Sequence, residues 1–200
     1  MLFYNYTRCR FTETENHKML YLMRHGKTDW NDLYKLQGRT DIPLNEEGRR
    51  MAAEARSLYS DITFDICFCS PLLRARETAE LFLEGKNIPI HYDDRLLEMC
   101  FGIFEGTPYG PTDRQGAIRT LFETPEKYEG VPGGETFAEL FSRTGEFLDE
   151  KIAPLLKEGK NVLIVGHGAM NSSIVCHMRG LPVSEFWSAG IPNCRLMPLP

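Results

Sequence analysis

Two histidines in this chain share a local context that could support nucleophilic chemistry. His25 stands in "LMRHG" and His167 in "LIVGHG", so each follows a short apolar run and precedes a glycine. A single histidine in such a place is more often structural, whereas two at equivalent strand ends favour one shared site. A neutral imidazole with a free nitrogen can attack an electrophilic centre such as phosphorus at neutral pH.

Two arginines could supply the charge that attack on a phosphate requires. Arg24 directly precedes His25, and Arg74 lies in the first turn of a helix predicted after "FDICFCS". Guanidinium groups bind phosphate oxygens in pairs, and a helix N-terminus adds a favourable field. Taken alone, Arg74 within "RARE" fits a solvated helix face better. The two arginines and two histidines together predict a site for a phosphate group.

The composition is that of an ordinary globular protein of one domain. The chain has 200 residues, of which 26% are charged and 42% hydrophobic, with a formal net charge of -5. This acidity gives no reason to expect nucleic acid or an anionic membrane as the main partner. A basic pocket for a small phosphorylated metabolite is compatible with it. No run approaches the roughly 20 apolar residues that span a bilayer.

The cysteines and the missing ligand motifs argue against a metal or a nucleotide-type phosphate loop. The cysteines are scattered without a C-x-x-C pair, and Cys67 and Cys69 share one face of an apolar run. This pattern predicts buried free thiols and, by default, a reducing cytoplasmic location. No His, Cys or carboxylate group has ligand spacing, and the G-x-x-x-x-G-K-[ST] motif is missing. We predict no metal and no cofactor, and a homodimer is the default oligomeric state.

Apolar runs alternate with helical patterns along the chain, which is typical of an α/β fold. Continuous apolar runs predict strands that are buried on both faces of a parallel sheet. They cover residues 19–23, 64–69, 88–92 and 161–165. Because proline cannot donate to a strand ladder, Pro89 assigns the third run to a sheet edge.

Four longer helices are predicted from their capping residues. They begin after Asn45, at Ser70-Pro71, after Thr136 in a capping box with Glu139, and after Gly168. The second ends at Gly85 and the fourth near Gly180. The inward face of the first helix should comprise Met51, Ala52, Ala55, Leu58 and Tyr59. A short helix is also predicted within 114–123.

These elements predict a three-layer α/β/α architecture with a mostly parallel central sheet. One domain should cover residues 19–200, with residues 1–18 as an N-terminal extension. Residues at about 99–135 are loop-rich and contain most of the Gly-Pro punctuation. An irregular insertion of this kind in a compact domain is typical of a lid or a specificity element.

Six blocks of the sequence resemble, in their order, the histidine phosphatase superfamily, also called the phosphoglycerate mutase-like family. They are "RHGKTDWN", "QGRTDIPLNEEGRRMA", "SPLLRARETAE", "LLEMCFGIFEG", "PGGETFAEL" and "VGHGAMN". The resemblance spans about residues 19 to 195, and the ordered set is far more specific than the "RHG" triplet alone. It implies a phosphoglycerate mutase-like fold, in which the last sheet strand often runs antiparallel to the others.

Site roles follow from this resemblance by matching positions. It implies that His25 is the nucleophile that forms a phosphohistidine, that Glu98 is the general acid, and that His167 assists catalysis. The implied phosphate-binding residues are Arg24, Asn31, Arg74 and His167. The predicted pocket lining adds Gln37, Gly38 and Gly168.

A carboxylic acid is required near the phosphate because an alkoxide is a poor leaving group. Glu98, in "RLLEMCFG", has the matching place in the motif, and the same group could then activate water to cleave the phosphohistidine. Glu105, in "FEGTPY", is a nearby rival. The non-catalytic alternative for Glu98 is an ion pair with Arg95 at a loop end.

Three functions remain open at this level: a phosphatase for small phosphomonoesters, a cofactor-dependent phosphoglycerate mutase, and a non-catalytic phosphate-binding relative. The mutases resembled here usually carry an "ERHYG"-like block where this chain has "EMCFG", without an arginine for a substrate carboxylate. The chain also has less insertion to shield a phosphoenzyme from water, which favours hydrolysis. A binding module is disfavoured because every expected catalytic position is filled. We therefore predict a metal-independent phosphoric monoester hydrolase of the phosphatase branch.

Overall fold

A five-stranded sheet forms the centre of the protein. The computed structural model describes residues 19–110 and 115–199, so the predicted extension 1–18 and residues 111–114 of the predicted insertion lie outside the described residues. The strands are β1 (Leu20–Arg24), β2 (Ile66–Cys69), β3 (Ile90–Tyr92), β4 (Val162–Gly166) and β5 (Leu196–Leu199). Their order across the sheet is β3-β2-β4-β1-β5.

The pairing of the strands confirms the predicted, mostly parallel sheet. The β1–β4, β4–β2 and β2–β3 pairs are parallel, and β5 runs antiparallel to β1. β3 lies at the edge, as Pro89 predicted. No strand was predicted for the residues of β5, because "LMPL" is short and is interrupted by Pro198.

Helices lie on both faces of the sheet. In the described part of the chain they are α1 (Asp29–Asp32), α2 (Glu46–Leu58), α3 (Leu73–Leu83), α4 (Gly116–Glu123), α5 (Phe137–Phe147), α6 (Ala153–Lys157) and α7 (Gly168–Arg179). A π-helical segment, Leu148–Ile152, joins α5 to α6. None of these helices combines the length and the hydropathy needed to cross a bilayer.

The alternation of side chains along β1 shows why there are three layers. Leu20 and Leu22 belong to one buried cluster with Phe147 of α5, on one face of the sheet. Met23 belongs to a second cluster with Ala52 of α2 and Ala75 of α3, on the other face. Because successive strand residues point to opposite faces, both sides of this sheet are apolar and both are covered by helices.

Local capping residues define several helix ends as predicted. The Asn45 side chain accepts the Gly48 N–H at 2.9 Å, at the start of α2. Thr136 and Glu139 form a reciprocal capping box at the start of α5. At the end of α7, Gly180 adopts the left-handed conformation with a φ of 64°.

Two details of the helix predictions are wrong. α3 begins at Leu73 rather than at Ser70-Pro71, and its N-cap residue Leu72 makes no side-chain capping bond. The Ser70 hydroxyl lies 2.7 Å from His167 Nε2 and accepts the Leu72 N–H at 3.4 Å, and Ser70 stands three residues before the first residue of α3. Leu58, predicted to face the core, is 60% exposed because it ends α2 beyond the cluster shared with α3.

The predicted insertion packs on the end of the molecule where α5 and α7 lie. Met99, Phe101 and Leu121 share a third buried cluster with Leu140 of α5 and Ala169 of α7. This cluster holds the loops that follow Glu98 against the helix that begins beside His167. The loop segment and the ends of the central strands are therefore adjacent.

Candidate active site

His25 and His167 meet at the carboxyl ends of β1 and β4. The two strands pair in parallel with Arg24 opposite Gly166, and the His25 N–H donates to the Gly166 carbonyl at 2.9 Å. The imidazole centroids are 5.2 Å apart. Both rings are buried, with exposures of 2% and 0%. The register of the sheet therefore brings together two residues that are far apart in the chain.

The hydrogen bond of His25 selects its tautomer. His25 Nδ1 lies 2.7 Å from the Gly26 carbonyl oxygen, which can only accept, so Nδ1 carries the proton. Nε2 then bears the lone pair, and it makes no hydrogen bond within the described residues. Burial lowers the pKa of His25 well below its ordinary value, and the positive charges of Arg74 and Arg24 lower it further. The ring is neutral at pH 7 and can act as a nucleophile.

In His167 the ring nitrogen that bonds to the protein is Nε2, whereas in His25 it is Nδ1. Its Nε2 lies 2.7 Å from Ser70 Oγ, whereas its buried Nδ1 has no hydrogen-bond partner in the described part of the chain. Burial lowers the pKa of His167 well below the ordinary value, followed by the charges of Arg74, His25 and Arg24. If Ser70 donates to Nε2, the single ring proton lies on Nδ1, which can then donate to an anion.

Arg74 is completely buried, so the alternative of a solvated helix face is wrong. Its guanidinium donates from Nη1 to the Thr40 carbonyl at 2.9 Å and from Nη2 to the Gly38 carbonyl at 2.7 Å. Its buried Nε has no partner among residues 19–110 and 115–199. Burial lowers the pKa of Arg74 to about 10, with nearby carboxylates, Glu98 foremost, acting in the opposite direction. The group remains cationic at neutral pH.

Arg24 lies beside the start of α7. Its buried Nε also lacks a partner in the described part of the protein. A Cβ atom added to Gly168 would lie 3.6 Å from Arg24 Cζ, so the glycine borders the guanidinium. The positive charges of Arg24 and Arg74 both act on the two histidine rings, which shows that these four side chains form one electrostatic site.

Asn31 lies in α1, and Gln37 lies in the loop that follows this helix. The Asn31 carbonyl oxygen accepts from the Thr28 backbone N–H at 3.1 Å and from its hydroxyl at 3.2 Å. This bonding assigns the oxygen and leaves the amide nitrogen to donate elsewhere. Gln37 is 8% exposed, and its buried side-chain oxygen has no partner among the described residues. Gly38 has a φ of 55°, a conformation that favours glycine.

Glu98 is anchored to the N-terminus of α7. Its Oε1 accepts the N–H groups of Met99 at 2.9 Å and Met170 at 3.0 Å, and its Oε2 accepts that of Ala169 at 3.2 Å. The alternative of an ion pair with Arg95 is wrong, because that arginine pairs with Asp93 and Glu150 instead. The carboxyl group therefore lies next to the helix that follows His167.

Glu105, the rival acid, is occupied by the loop that holds Arg74. Its Oε1 accepts the Arg39 N–H at 2.9 Å and the Phe101 N–H at 3.2 Å. Its Oε2 accepts the Thr40 N–H at 2.8 Å and the Thr40 hydroxyl at 2.5 Å. The Cys100 thiol is a fifth donor, at 3.7 Å from Oε1. With five donors on its two oxygens, Glu105 is arranged to stabilise a turn rather than to exchange a proton.

Three residues that contact the site residues were not predicted. Ser70 contacts His167, and Thr78 accepts the Gly26 N–H at 2.9 Å while donating to the Arg74 carbonyl at 2.6 Å. Glu135 binds arginines beside Glu98, as described below. Ser70 resembled a helix cap, and a buried threonine inside a helix has no distinctive pattern. Only the "PGGE" block that contains Glu135 pointed to a special turn.

Other parts of the surface are less suited to an anion. A cavity of about 480 Å³ is lined by Asp29, Asn45, Glu46, Glu47 and Arg50. Its carboxylates would repel a phosphate. Across residues 19–110 and 115–199, no group of three or more His, Cys, Asp or Glu side chains is arranged to hold a metal ion.

Comparisons with known proteins identify the family of the chain. The model of the histidine phosphatase superfamily (branch 1) matches residues 20–199. The chain is 32% identical over 180 residues to 2,3-bisphosphoglycerate-dependent phosphoglycerate mutase 2 of Gloeobacter violaceus, covering 88% of this chain and 82% of that protein. It is 37% identical over 161 residues to an uncharacterized phosphatase, PhoE, of Bacillus subtilis, with coverages of 80% and 76%.

A comparison of folds with solved structures also finds similar proteins. The solved structure of YhfR from Bacillus stearothermophilus matches with a TM-score of 0.80 at 31% sequence identity, covering 90% of this chain and 89% of that chain. Relatives of the chain are named both as phosphatases and as phosphoglycerate mutases. The chain therefore belongs to the histidine phosphatase superfamily and has a phosphoglycerate mutase-like fold.

Proposed function

We propose that this protein is a phosphatase that hydrolyses small phosphomonoesters through a phosphohistidine on His25, with Glu98 as general acid and base. The observation that supports this most directly is the buried imidazole of His25. Its Nδ1 donates to the Gly26 carbonyl at 2.7 Å, and its Nε2 is left with a lone pair between cationic groups.

Binding of the phosphate comes first in this mechanism. A phosphomonoester is anionic and repels nucleophiles until its charge is neutralised. Arg24 and Arg74 each have a buried Nε without a protein partner among the described residues, and so does His167 at Nδ1. These donors, with the amide nitrogen of Asn31, can satisfy phosphate oxygens. In a buried site their attraction is stronger than it would be in water.

Transfer to His25 follows. The Nε2 lone pair forms a bond to phosphorus while the bond from phosphorus to the ester oxygen breaks. The departing oxygen takes a proton from Glu98, so the alcohol leaves neutral. The imidazole ring gains positive charge in this step, and its Nδ1–H bond to the Gly26 carbonyl stabilises that charge.

Hydrolysis of the phosphohistidine completes the cycle. The Glu98 carboxylate accepts a proton from water as the water oxygen attacks phosphorus. The bond between nitrogen and phosphorus breaks, and its electron pair returns to Nε2 of His25. The products are the alcohol and inorganic phosphate, and Glu98 again carries the proton for the next turnover.

The hydrogen bonds of Glu98 indicate which oxygen carries that proton. Oε1 accepts two backbone N–H groups, whereas Oε2 accepts one, from Ala169 at 3.2 Å. Oε2 therefore retains an acceptor position for a proton. We infer that Oε2 is the oxygen that donates to the leaving group.

A mutase is the second candidate, because one relative named as a mutase is 32% identical over 88% of this chain. Transfer would return the phosphoryl group from His25 to a second hydroxyl instead of to water. The block after the acid, Met99-Cys100-Phe101, contains no cation for a substrate carboxylate. This sequence favours hydrolysis, and the proposed substrates are small phosphorylated metabolites.

The test is release of inorganic phosphate from a panel of phosphomonoesters, with and without 2,3-bisphosphoglycerate and in the presence of EDTA. We expect hydrolysis that needs neither the bisphosphoglycerate nor a metal. Acid-labile labelling of the protein by a radioactive ester should disappear in His25→Ala and persist in His91→Ala, which changes an exposed histidine. Isomerisation of phosphoglycerate only with bisphosphoglycerate present would identify a mutase, and failure to react with any ester would identify a binding protein.

A further inference from the structure

The main chain of Glu98 is held by two guanidinium groups. Arg143 Nη2 donates to the Glu98 carbonyl at 3.3 Å, and Arg39 Nε donates to the same oxygen at 3.4 Å. Arg143 also donates from Nη1 to the Arg95 carbonyl at 2.6 Å. One arginine therefore bridges two carbonyls of the segment that ends in the proposed general acid.

Glu135 connects these two arginines. It accepts from Arg143 at both oxygens, at 2.7 Å from Nε and 2.9 Å from Nη2, and from Arg39 Nη2 at 3.3 Å. Its backbone and side chain also bind the Cys100 carbonyl at 2.8 Å and the Cys100 N–H at 3.3 Å. Glu135 thus contacts the chain directly beyond Glu98, while its arginine partners contact Glu98 itself.

Two of the three side chains in this cluster are largely buried. The side chains of Glu135 and Arg143 are 8% and 14% exposed, whereas that of Arg39 is 41% exposed. A bidentate pair between a guanidinium and a carboxylate has a narrow geometry, and removal of one member leaves the other charged and buried. Glu135 is thus linked to three carbonyls of residues 95–100, directly at Cys100 and through Arg143 and Arg39 at Arg95 and Glu98. Among the described residues it makes no hydrogen bond to the histidines.

We propose that Glu135 is a positioning residue for Glu98 and acts through Arg143 and Arg39. The inference rests on the proposed function, in which Glu98 donates a proton to the leaving group. General acid catalysis requires the acid within hydrogen-bond reach of the leaving oxygen, and a misplacement of about 1 Å can cost on the order of 10²-fold in rate. Binding of the phosphate group uses other residues, so it should not depend on Glu135.

The test compares leaving groups in Glu135→Gln. kcat/KM reports the steps up to departure of the leaving group, and p-nitrophenolate leaves without a proton whereas an alkoxide does not. For an alkyl phosphate we expect kcat/KM to fall by about 10- to 100-fold, and for p-nitrophenyl phosphate by less than about 3-fold. The inhibition constant of inorganic phosphate should not change. An equal loss for both esters would overturn the inference.

Two further variants carry the test if Glu135→Gln does not fold, which thermal unfolding would reveal. Arg143→Lys keeps the positive charge but cannot form the bidentate pair with Glu135 together with both carbonyl bonds, and it should reproduce the dependence on the leaving group. Arg39→Gln removes a more exposed contact and should show the same dependence at about 2- to 5-fold. Retention of the wild-type ratio between the two esters in both variants would contradict the proposal.

A matched control and a double variant separate positioning from general damage. Glu150→Gln removes an exposed partner of Arg95 in the same region and should leave both kcat/KM values unchanged. Adding Glu135→Gln to Glu98→Gln should cause no further loss on the alkyl phosphate; a multiplied loss contradicts the proposal. No hydrolysis by the wild-type chain would overturn the proposed function as well, whereas wild-type hydrolysis with equal losses overturns this inference alone.

Discussion

The candidate active site has two halves that are held together by different kinds of contact. The strand-end half, residues 24–26 and 166–168, carries both histidines and Arg24, and the backbone ladder between β1 and β4 holds it together. The loop half, residues 38–40 and 95–105, carries Glu98 and the carbonyls that hold Arg74. It is held mainly by the side chains of Glu105, Glu135 and Arg143.

This difference determines how sensitive each half is to substitution. The stability of a parallel strand pair is distributed over many backbone hydrogen bonds, each of which contributes about 0.5–1.5 kcal/mol. The loop half depends on a few buried charges, and breaking such a pair by removing one partner costs about 3–5 kcal/mol. Substitutions outside the catalytic groups should therefore affect the loop half more strongly than the strand-end half.

The largest expected effect is that of Glu98→Gln, which removes the proposed proton donor of the loop half. kcat/KM for an alkyl phosphate should fall by about 10²–10⁴-fold, while inhibition by inorganic phosphate is preserved. Steady-state kinetics with alkyl and nitrophenyl esters measures this. The exposed Glu129→Gln is the control. Unchanged turnover of the alkyl ester would remove Glu98 from the mechanism.

Arg74→Lys tests the junction between the halves, because Arg74 belongs to α3 but is oriented by loop carbonyls. A lysine cannot bind both carbonyls and a phosphate in the same plane. We expect the inhibition constant of inorganic phosphate to rise by about 10- to 100-fold, as for loss of a charge-assisted hydrogen bond. Arg76→Lys, at an exposed position of the same helix, should bind phosphate normally. Equal behaviour of the two variants would contradict the role of Arg74.

Glu105→Gln should disturb the 38–40 turn of the loop half and leave Glu98, the proposed acid, unchanged. The amide nitrogen would face backbone donors of the 38–40 turn, and the carbonyls that hold Arg74 would shift. We expect phosphate to bind about 2- to 10-fold more weakly, with the same factor for alkyl and nitrophenyl esters. A loss confined to the alkyl ester would instead identify Glu105 as the acid.

The last prediction concerns the strand-end half and the pH dependence of its stability. The folded-state pKa of His25 is lowered by burial and by Arg74 and Arg24, so the unfolded chain binds its proton more readily. Stability from this group is therefore complete above about pH 6.5 and is lost as the pH falls from there toward the folded-state pKa. His25→Asn should flatten the decline in unfolding free energy by about 1.4 kcal/mol per pH unit, measured in urea. His91→Asn should not.

Sequence patterns predicted the strand-end half well. β1, β2, β3 and β4 were each recognised from an apolar run, and the cap of α2 was recognised from Asn45. Once two such runs are neighbours in a parallel sheet, the residues that follow them must meet at one edge. β5 and the true start of α3 were missed, since a short strand with a proline and a serine directed to His167 carry no local pattern.

The loop half shows the limit of the same reasoning. Motif matching identified Glu98, but the alternatives of an ion pair with Arg95 and of Glu105 as the acid could not be separated by spacing. The structure excludes the ion pair, since Arg95 pairs with Asp93 and Glu150. It also shows different hydrogen bonds for the two glutamates, to Ala169 for Glu98 and to Thr40 for Glu105. Each such contact depends on the path of a loop, which residue types alone do not specify.

The sequence alone determined an alternation of four strands with helices, because apolar periodicity encodes the sheet, and it placed His25 and His167 at the ends of two of these strands. Only the tertiary structure decided which nitrogen of His25 is free, which carbonyls orient Arg74, and which carboxylate lies at the start of α7. Those choices arise from hydrogen bonds directed in space, and they form only when loops from several parts of the chain pack together.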